Sequence, residues 1–323
     1  MTLIDMSELL DLNASWGKSI MLVGPMNAGK TEKAIRWAQG IKYHTDCSIL
    51  AFKPDIDKRA LPDKIVANTS EGRLTFDAIT ISSRNPSEAV GIVENSSSFI
   101  DVVLFDEVNF FDVSIIDVFE KLKRSSCGRK RVIIGTGLDK SFRGEPFEPV
   151  PFVTAKADIT ESQAAYCKHI IKENDRIHQC KKPAKYTMRL IADEGNEERY
   201  DFFDKSNNPI LGVYRPARYY DPTVVIEKIG QAKEKSSAQQ VYYISVCPDC
   251  FLIPGKEETA RIYDFIRERK GVSIDDIVKE FPSPNTERIA DFLYEEGRVV
   301  SRGNVLFPQK YVFSIGIGAY VKE

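Results

Sequence analysis

The composition is that of an ordinary folded protein with no strong overall charge. The chain has 323 residues, of which 42% are hydrophobic and 28% charged, and its 45 basic and 47 acidic side chains give a net charge of −2. These values exclude a disordered chain and a protein that coats nucleic acid through bulk electrostatics. No apolar run reaches the roughly 18 residues that span a bilayer, so we expect no membrane segment. The N-terminal residues carry acids and no basic segment before an apolar one, which predicts no secretory signal and a cytoplasmic location.

Short apolar runs rich in β-branched residues alternate with helical patterns over the first 160 residues. The predicted strands are 19–23, 47–52, 74–79, 101–105 and 131–135, and helical patterns follow residues 31 and 115. Strands that alternate with helices predict an α/β fold in which helices cover both faces of a parallel sheet. We therefore predict a first domain over residues 1–160.

The remaining sequence divides into two further regions. Residues 161–252 hold four of the six cysteines and two long polar stretches, and we predict that they form a small separate subdomain. Residues 253–323 show three helical patterns, near 256–270, 274–281 and 285–296, followed by a hairpin of 298–301 with 304–307. Three helices and a hairpin form the winged-helix arrangement, which we predict for this third domain.

One glycine-rich segment carries a nucleotide-binding motif. The segment Gly24-Pro25-Met26-Asn27-Ala28-Gly29-Lys30-Thr31 fits GxxxxGK[ST] and lies between a predicted strand and a predicted helix. Its glycines let backbone N–H groups face phosphate oxygens, and the N-terminus of the helix favours negative charge. We predict that Lys30 reaches the β- and γ-phosphates of a nucleotide and that Thr31 binds Mg²⁺. The first domain is thus predicted to be a P-loop nucleotide-binding core.

Two adjacent acids end the strand predicted at 101–105. An acid at this end of a strand beside a phosphate loop is expected to hold magnesium, which assigns that role to Asp106. Glu107 is placed to act as general base on an attacking hydroxyl or water. Without the phosphate loop, two surface acids would be the simpler interpretation, but the loop favours the catalytic one.

Four cysteines have the spacing of a metal site. Cys247-Pro248-Asp249-Cys250 is a CxxC motif, and Cys180 and Cys167 lie upstream. Four thiolates from two distant segments suffice for a tetrahedral structural Zn²⁺ site. His169 or His178 could replace Cys167, and this alternative stays open at the level of sequence.

These motifs, in this order, resemble those of the type II thymidine kinases over roughly residues 18–252. Beyond the phosphate loop, the matching segments are 52–59 (FKPDIDKR), 106–111 (DEVNFF), 137–147 (GLDKSFRGEPF), 180–189 (CKKPAKYTMR), 220–226 (YDPTVVI) and 247–250 (CPDC). The resemblance implies a kinase that transfers the γ-phosphoryl group of ATP to the 5′-hydroxyl of thymidine or a related deoxynucleoside. It also implies ATP, Mg²⁺ and a structural Zn²⁺ as cofactors, a P-loop NTPase-type sheet and a zinc-binding and lasso subdomain.

The resemblance implies roles for individual residues. Glu107 would be the general base, Arg59 would lie near the same oxygen and the transferred group, and Lys30 would neutralise charge. Asp57 and Asp106 would support Mg²⁺ together with the phosphate loop. The residues implied to bind the nucleoside are Met26, Phe110, Phe142, Thr187, Val224 and Tyr243.

Several departures from the family pattern lie near the implied substrate. Asn27 replaces a bulkier residue, Asn109 replaces a glutamine, and Ala67-Asn68 stands where the family has a Ser-His pair. The first pair of zinc ligands is stretched by about ten residues relative to CxxC. A polar insertion also lengthens the lasso over residues 227–240. Because the catalytic residues are kept, we predict an active kinase and leave the choice of nucleoside open.

The third domain lies outside the resemblance. Residues 251–323 carry 11 basic and 12 acidic side chains, and the helix predicted at 285–296 carries four acids against Arg288. Phosphate contacts dominate affinity for DNA, so a protein partner is favoured over DNA for this domain. The family resemblance also suggests a homo-oligomer, a tetramer or a dimer. The alternative function is a nucleotide-sensing regulator that has lost turnover and whose winged helix binds DNA or a protein.

Overall fold

The chain forms two compact units in the computed structural model. The first comprises Met1–Arg215 with Val224–Phe251, and the second comprises Pro216–Thr223 with Leu252–Glu323. The structure describes residues 17–57, 62–69, 72–124, 128–174, 176–192, 199–204, 206–221, 241–309, 311–314 and 319–322. No helix within these ranges has the length and apolar character needed to cross a bilayer.

A parallel sheet of six strands forms the centre of the first unit. The first eight strands of the chain are β1 (Ser19–Val23), β2 (Ile49–Pro54), β3 (Lys64–Thr69), β4 (Gly72–Asp77), β5 (Ile79–Ile81), β6 (Val102–Phe105), β7 (Val132–Gly137) and β8 (Ile159–Ser162). The sheet has the order β5-β2-β6-β7-β1-β8, and every neighbouring pair in it is parallel. β3 and β4 form a separate antiparallel hairpin. The predicted α/β fold with a parallel sheet is confirmed.

Helices cover both faces of this sheet because its strands are apolar on both sides. The helices of this region are α1 (Lys30–His44), α2 (Glu88–Glu94), α3 (Ile115–Lys123) and α4 (Val150–Lys156). In β1, Ile20 and Leu22 pack on the face that Ile35 of α1 covers. Met21 points to the other face and packs in one cluster with Phe119 of α3. The sheet is thereby buried on both sides, and the carboxyl ends of its strands form one edge that is available for a site.

Two predicted strands needed correction. The strand predicted at 47–52 begins at Ile49, because the backbone and side chain of Ser48 instead bond to Asp101. The strand predicted at 74–79 is two strands with different partners. The chain leaves the hairpin after Asp77, and the N–H of Ala78 donates to the carbonyl of Asp63 before β5 joins the central sheet.

The rest of the first unit is built from short strands. They are β9 (Ala165–Tyr166), β10 (Ile170–Glu173), β11 (Arg176–Gln179), β12 (Pro183–Ala184), β13 (Tyr186–Ala192), β14 (Phe202–Phe203), β15 (Pro209–Ile210), β16 (Tyr214–Pro216) and β17 (Val241–Val246). The largest sheet among them has the order β16-β13-β17. The unit also has two single-turn 3₁₀ helices: Val108–Phe110 follows the acid pair, and Pro248–Cys250 follows Cys247, the first cysteine of the CxxC. Met188, Leu190, Phe202 and Ile244 lie in the core of this region.

The second unit has a core of its own. Its elements are α5 (Lys256–Arg269), β18 (Val272–Ser273), α6 (Ile274–Glu280), α7 (Thr286–Glu295), β19 (Val299–Arg302), β20 (Val305–Pro308), β21 (Tyr311–Ser314) and β22 (Ala319–Lys322). Ile262, Ile277 and Leu293 bring the three helices together. The helices and the first hairpin lie where the sequence predicts them. The winged-helix assignment and the boundaries at 160 and 252 stay predictions.

Candidate active site and metal centre

The glycine-rich segment connects β1 to α1 in a tight curve. Gly24 has φ = 142°, and a Cβ there would lie 2.3 Å from the carbonyl oxygen of Gln163, so only glycine fits. Gly29 precedes α1 with φ = 77°, and Asn27 has φ = 60°. Asparagine is among the side chains that tolerate this left-handed region, which makes the departure at position 27 compatible with the loop.

Lys30 is held inside this curve. Its side chain is buried, and the ammonium donates hydrogen bonds to the carbonyls of Gly24 (3.0 Å) and Pro25 (2.8 Å). Both acceptors belong to the loop that the motif assigns to phosphate. The cation is therefore already at the place where phosphate oxygens would need it.

Strand β8 braces the loop from outside, which sequence reasoning missed. The ammonium of Lys33 on α1 lies 2.5 Å from the carboxylate of Glu161, a residue with no exposed surface. The side chain of Gln163 donates to the same carboxylate, and its backbone N–H donates to the carbonyl of Val23 at 2.7 Å. Glu161 is the one buried residue of β8, and no motif in the sequence marked it.

The acid pair lies at the same edge of the sheet as the phosphate loop. Asp106 and Glu107 follow β6, the loop follows β1, and only β7 separates these two parallel strands. The hydroxyl of Thr31 donates to Asp106 Oδ1 at 2.9 Å. Thr136, at the end of the adjacent strand β7, donates to the same oxygen. Sequence reasoning did not select Thr136, although a threonine near the carboxyl end of a buried strand at this edge was a usable signal. Asp106 thus joins the phosphate loop to the centre of the sheet.

Negative charge is concentrated at this point. Burial first, and then the charges of Glu107 and Asp57, raise the pKa of Asp106 from 3.8 to about 6, against the lowering effect of its two hydroxyl partners. Glu107 has the left-handed conformation, with φ = 52°, and its side chain is only half-buried. A backbone strained in this way is commonly found at functional sites. The three carboxylates form an environment that a hard cation would stabilise.

Only some of the residues predicted to bind the nucleoside are in direct contact with one another. Met26 and Thr187 meet directly, since the backbone N–H of Met26 donates to the hydroxyl of Thr187 at 2.9 Å. Thr187 therefore connects strand β13 to the phosphate loop. Tyr243 is half-buried on β17, opposite Arg189 of β13. Val224, like the catalytic candidate Arg59, lies outside the described residues.

The aromatic candidates are packed against other side chains. Phe110 makes an edge-to-face contact with Phe147 at 5.9 Å between ring centroids. Phe142 is buried, and the guanidinium groups of Arg189 and Arg143 lie 5.1 and 5.5 Å from its ring. Such cation–π contacts hold the ring in place.

Asn109 ties the acid segment to the segment 137–147. Its side-chain oxygen accepts a hydrogen bond from the backbone N–H of Leu138 at 2.9 Å, and the side chain is 3% exposed. Its amide nitrogen has no hydrogen-bond partner within the described residues. The asparagine that departs from the family pattern at position 109 is therefore buried and bonded to the segment 137–147.

The four predicted metal ligands come together. The sulfur atoms of Cys167, Cys180, Cys247 and Cys250 all lie within 4.8 Å of one another, and Cys180 is 3.9 Å from both Cys247 and Cys250. Four sulfurs around a zinc ion at about 2.3 Å stand roughly 3.8 Å apart, which matches these distances. Neither His169 nor His178 belongs to the cluster in the described part of the chain. Cys167 is thus the fourth member of this donor set.

A hairpin explains the stretched spacing of the first two cysteines. β10 and β11 pair antiparallel with Ile170 opposite Gln179, so the chain that leaves Cys167 returns beside it at Cys180. The N–H of Lys181 donates to the carbonyl of Cys167, and the N–H of Cys180 donates to that of His169. The inserted residues therefore pair with one another and leave the sulfurs of Cys167 and Cys180 close together.

Comparison with known proteins decides the family. The thymidine kinase family model matches residues 17–201, more than half of the chain. The chain belongs to the thymidine kinase family. It is 27% identical over 80% of its length to a thymidine kinase of Mycoplasma capricolum, and covers all of that protein. It is also 36% identical to a thymidine kinase of Pyrobaculum aerophilum, over 53% of this chain and 82% of the relative.

The match to solved structures adds nothing to this. The flagellar accessory protein FlaH from Methanocaldococcus jannaschii aligns with 62% of this chain and 89% of its own, at 13% identity and a TM-score of 0.29. A similarity at this level bears on neither fold nor function. The thymidine kinase family assignment depends on the sequence match and agrees with the resemblance drawn from the motifs.

The carboxylate of Asp106 makes the stability of this thymidine kinase family member depend on pH. Its pKa is 3.8 in an unfolded chain and about 6 in the folded one, so the folded state holds a proton that the unfolded state loses between these values. The stability that the group contributes is complete below pH 4 and is lost as the pH rises through about 6.

We predict that Asp106→Asn stabilises the protein without added Mg²⁺ at about pH 7.5, by up to about 3 kcal/mol. The amide oxygen can still accept from Thr31 and Thr136, while the buried charge is removed. At about pH 5 the gain should fall to roughly half. Urea unfolding at both pH values measures it, and a loss of stability at the higher pH would contradict the account. Kinase activity should be lost in the same variant.

Proposed function

We propose that the protein is an ATP-dependent deoxynucleoside kinase that phosphorylates the 5′-hydroxyl of thymidine or a related deoxynucleoside. The observation that carries the proposal is the joint presence of the phosphate loop, its buried Lys30 and the Thr31–Asp106 hydrogen bond in a thymidine kinase family member. These residues hold nucleotide phosphates, and Glu107 lies beside them. The relatives' printed names support the choice of thymidine as the first substrate to test.

In the proposed reaction the chain binds and orients ATP and the nucleoside, and it moves one proton. Lys30 exchanges its bonds to the loop carbonyls for phosphate oxygens. Glu107 accepts the proton of the 5′-hydroxyl as that oxygen bonds to the γ-phosphorus. The bond between the γ-phosphorus and the bridging oxygen breaks, and ADP leaves with that electron pair. Arg59 stays a predicted partner of the transferred group.

The acid cluster fits Mg²⁺ as cofactor. Thr31 contributes a hydroxyl and Asp106 a carboxylate, and Asp57 raises the pKa of Asp106 through its charge. Oxygen donors with excess negative charge are what a hard divalent cation requires. When bound, Mg²⁺ neutralises phosphate charge during transfer.

We further propose that the cysteine cluster holds one structural Zn²⁺. Burial raises the pKa of the Cys167 thiol to about 11 when no metal is present. Such a thiol becomes a thiolate when a metal ion binds it. Four sulfur donors close the coordination shell and leave no open position for a reactant, which is the pattern of structural zinc.

The regulator alternative is not favoured. The phosphate loop and Lys30 would serve nucleotide binding under either interpretation, and it is the family assignment that points to a kinase. A hydrolase that uses water is disfavoured by the segment that resembles the lasso. The homo-oligomer and a protein partner for the second unit stay predictions.

The test is a nucleoside panel. Purified full-length protein is incubated with ATP and Mg²⁺ and with thymidine, deoxyuridine, deoxycytidine, deoxyadenosine or deoxyguanosine in turn, and products are separated by chromatography. A 5′-monophosphate formed together with equimolar ADP supports the proposal. ADP without a monophosphate would identify a hydrolase, and no product from any nucleoside would reject the kinase.

A further inference from the structure

One buried hydroxyl bonds to both members of the acid pair. Thr136 is the second-last residue of β7, and it is 1% exposed. Its hydroxyl donates to Asp106 Oδ1 and accepts a hydrogen bond of 3.3 Å from the backbone N–H of Glu107. A threonine hydroxyl has one proton to donate and lone pairs that accept, so this single oxygen can make both bonds at once.

The sheet places this hydroxyl between the two parts of the site. β7 is bordered by β1, which leads into the phosphate loop, and by β6, which leads into the acid pair. In the register of the sheet, Thr136 lies opposite Leu22 of β1, and Gly135 lies opposite Phe105 of β6. Both neighbouring strands are buried along their whole length. The position of the hydroxyl is therefore set by the sheet and not by a loop, which gives a more precise geometry.

Asp106 is held at its backbone and at its side chain. Its N–H donates to the carbonyl of Phe52 on β2 at 3.0 Å. Its Oδ1 accepts from the hydroxyl of Thr31 at 2.9 Å as well as from Thr136. The carboxylate is thus held by the phosphate loop on one side and by the sheet on the other. A carboxylate that supports a metal ion needs such partners to keep its orientation.

The backbone of Glu107 has a conformation that needs support. Its φ and ψ are 52° and 48°, in the left-handed region that non-glycine residues rarely adopt. A residue stays in this region only when the surrounding structure holds it there. The N–H of Glu107 is held by Thr136, and its carbonyl accepts from the N–H of Phe110 at 3.0 Å. Of these two bonds, the one to Thr136 comes from outside the segment 106–111.

We propose that Thr136 is a positioning residue, which fixes the general base relative to the acid that supports Mg²⁺. This inference rests on the proposed function, in which Glu107 accepts the proton of the 5′-hydroxyl and Asp106 belongs to the magnesium site. Phosphoryl transfer depends mainly on positioning, so the base must meet the 5′-hydroxyl close to the bound phosphates. The Thr136 hydroxyl fixes the spacing of the two acids because it bonds to both of them.

Substitutions that change the hydroxyl and the methyl group separately test this role. Thr136→Val keeps the branched shape and removes the hydroxyl, whereas Thr136→Ser keeps the hydroxyl and removes the methyl group. Thr136→Ala is matched to Thr136→Ser, from which it differs by the hydroxyl alone. The control is Thr154→Val on α4, because the Thr154 hydroxyl is buried and has no hydrogen-bond partner within the described residues.

Activity should follow the hydroxyl. In the full-length protein, Thr136→Val and Thr136→Ala should lower kcat for nucleoside phosphorylation by about 10–100-fold, the range that is typical of residues that orient a metal ligand. Thr136→Ser and Thr154→Val should keep kcat within about threefold of the wild-type value, and the nucleoside KM should change less than about threefold in all four variants. A loss that follows the hydroxyl and not the methyl group distinguishes positioning from packing.

Hydrogen exchange gives a second readout that needs no turnover. In protein without nucleotide or added Mg²⁺, the amide of Glu107 should exchange about tenfold faster or more in Thr136→Val and Thr136→Ala, because it has lost its acceptor. The amides of β6 should exchange as in the wild type and show that the sheet is intact. Thr136→Ser should protect the Glu107 amide as the wild type does.

Three results would reject the inference. If the wild type phosphorylates nucleosides and Thr136→Val keeps both its kcat and its slow exchange at Glu107, Thr136 positions nothing and the kinase stands. If kcat falls in Thr136→Val and is equally low in Thr136→Ser, the side chain acts through packing. A wild type without turnover on any nucleoside rejects the proposed function together with this inference. Should Thr136→Val fail to fold, the pair Thr136→Ser and Thr136→Ala decides through the same two measurements.

Discussion

Replacing Glu107 with glutamine should lower kcat for nucleoside phosphorylation by about 10²–10⁴-fold while ATP still binds. The amide keeps the size of the side chain but cannot accept the proton of the 5′-hydroxyl. The bonds of Lys30 to the loop carbonyls and of Thr31 to Asp106, in the loop proposed to bind phosphate, do not involve this side chain. Initial-rate kinetics and a direct measurement of ATP affinity separate the two effects.

The matched control for this variant is Glu32→Gln. Glu32 lies in the first turn of α1, close in sequence to the phosphate loop, and is partly exposed and paired with Arg36 on the same helix. The Glu32→Gln substitution removes a charge of the same sign without touching the acid pair. Because an exposed ion pair contributes little to stability, the kcat of this variant should stay within about twofold of the wild-type value. Equal activity of Glu107→Gln and the wild type would remove Glu107 from the mechanism.

The same substitution gives a second readout at Asp106. The charge of Glu107 is one cause of the raised pKa of Asp106, after burial. Without that charge the pKa of Asp106 should move down toward its ordinary value, and the loss of stability on raising the pH should begin at a lower pH. A variant that loses activity and also shows this change has lost the charge beside Asp106 and has kept its fold.

The sequence predicted the central fold well because its signals there are local. β1 and β6 are short buried strands of mostly apolar residues, and a motif residue follows each of them directly, Gly24 or Asp106. Motifs of this kind depend on a few neighbouring residues, so order along the chain was enough to place them. The family assignment followed from the same segments.

What could not be predicted depends on contacts between distant segments. The Lys33–Glu161 pair joins residues that are 128 positions apart, and the bond from Met26 to Thr187 joins residues 161 apart. Neither has a sequence motif. The hairpin between Cys167 and Cys180 also explains their stretched spacing, because pairing of β10 with β11 brings the ends of the inserted segment together.

Residues 216–221 show a different limit of prediction from sequence. Tyr219 and Tyr220 lie in a segment whose motif points to the substrate side of the molecule, and no local property of the sequence places them in the core of the second unit. Predicting their burial would require knowing which apolar faces of α5 and α7 the other elements of the second unit leave uncovered. Pro216–Thr223 belong to the same compact unit as Leu252–Glu323, and the boundary at residue 252 stays a prediction.

Removing the metal ion from the cysteine cluster should have the second large effect, on both stability and nucleoside binding. We expect about one zinc per chain in the purified protein and a loss of several kcal/mol of stability in Cys247→Ser, since structural zinc contributes its binding energy to folding. Metal analysis and urea unfolding measure the two quantities. Cys47→Ser is the control, because Cys47 is half-buried and lies outside the cluster.

The effect on nucleoside binding follows from how the cluster is connected. Cys247 directly follows β17, and β17 pairs with β13, in which Thr187 bonds to the phosphate loop. Loosening Cys247 should therefore disturb Tyr243 and Thr187 together, and the nucleoside KM should rise before the protein unfolds. Purified wild-type protein without zinc, or a Cys247→Ser variant whose stability and nucleoside KM both equal those of the wild type, would reject a structural metal at the four sulfurs.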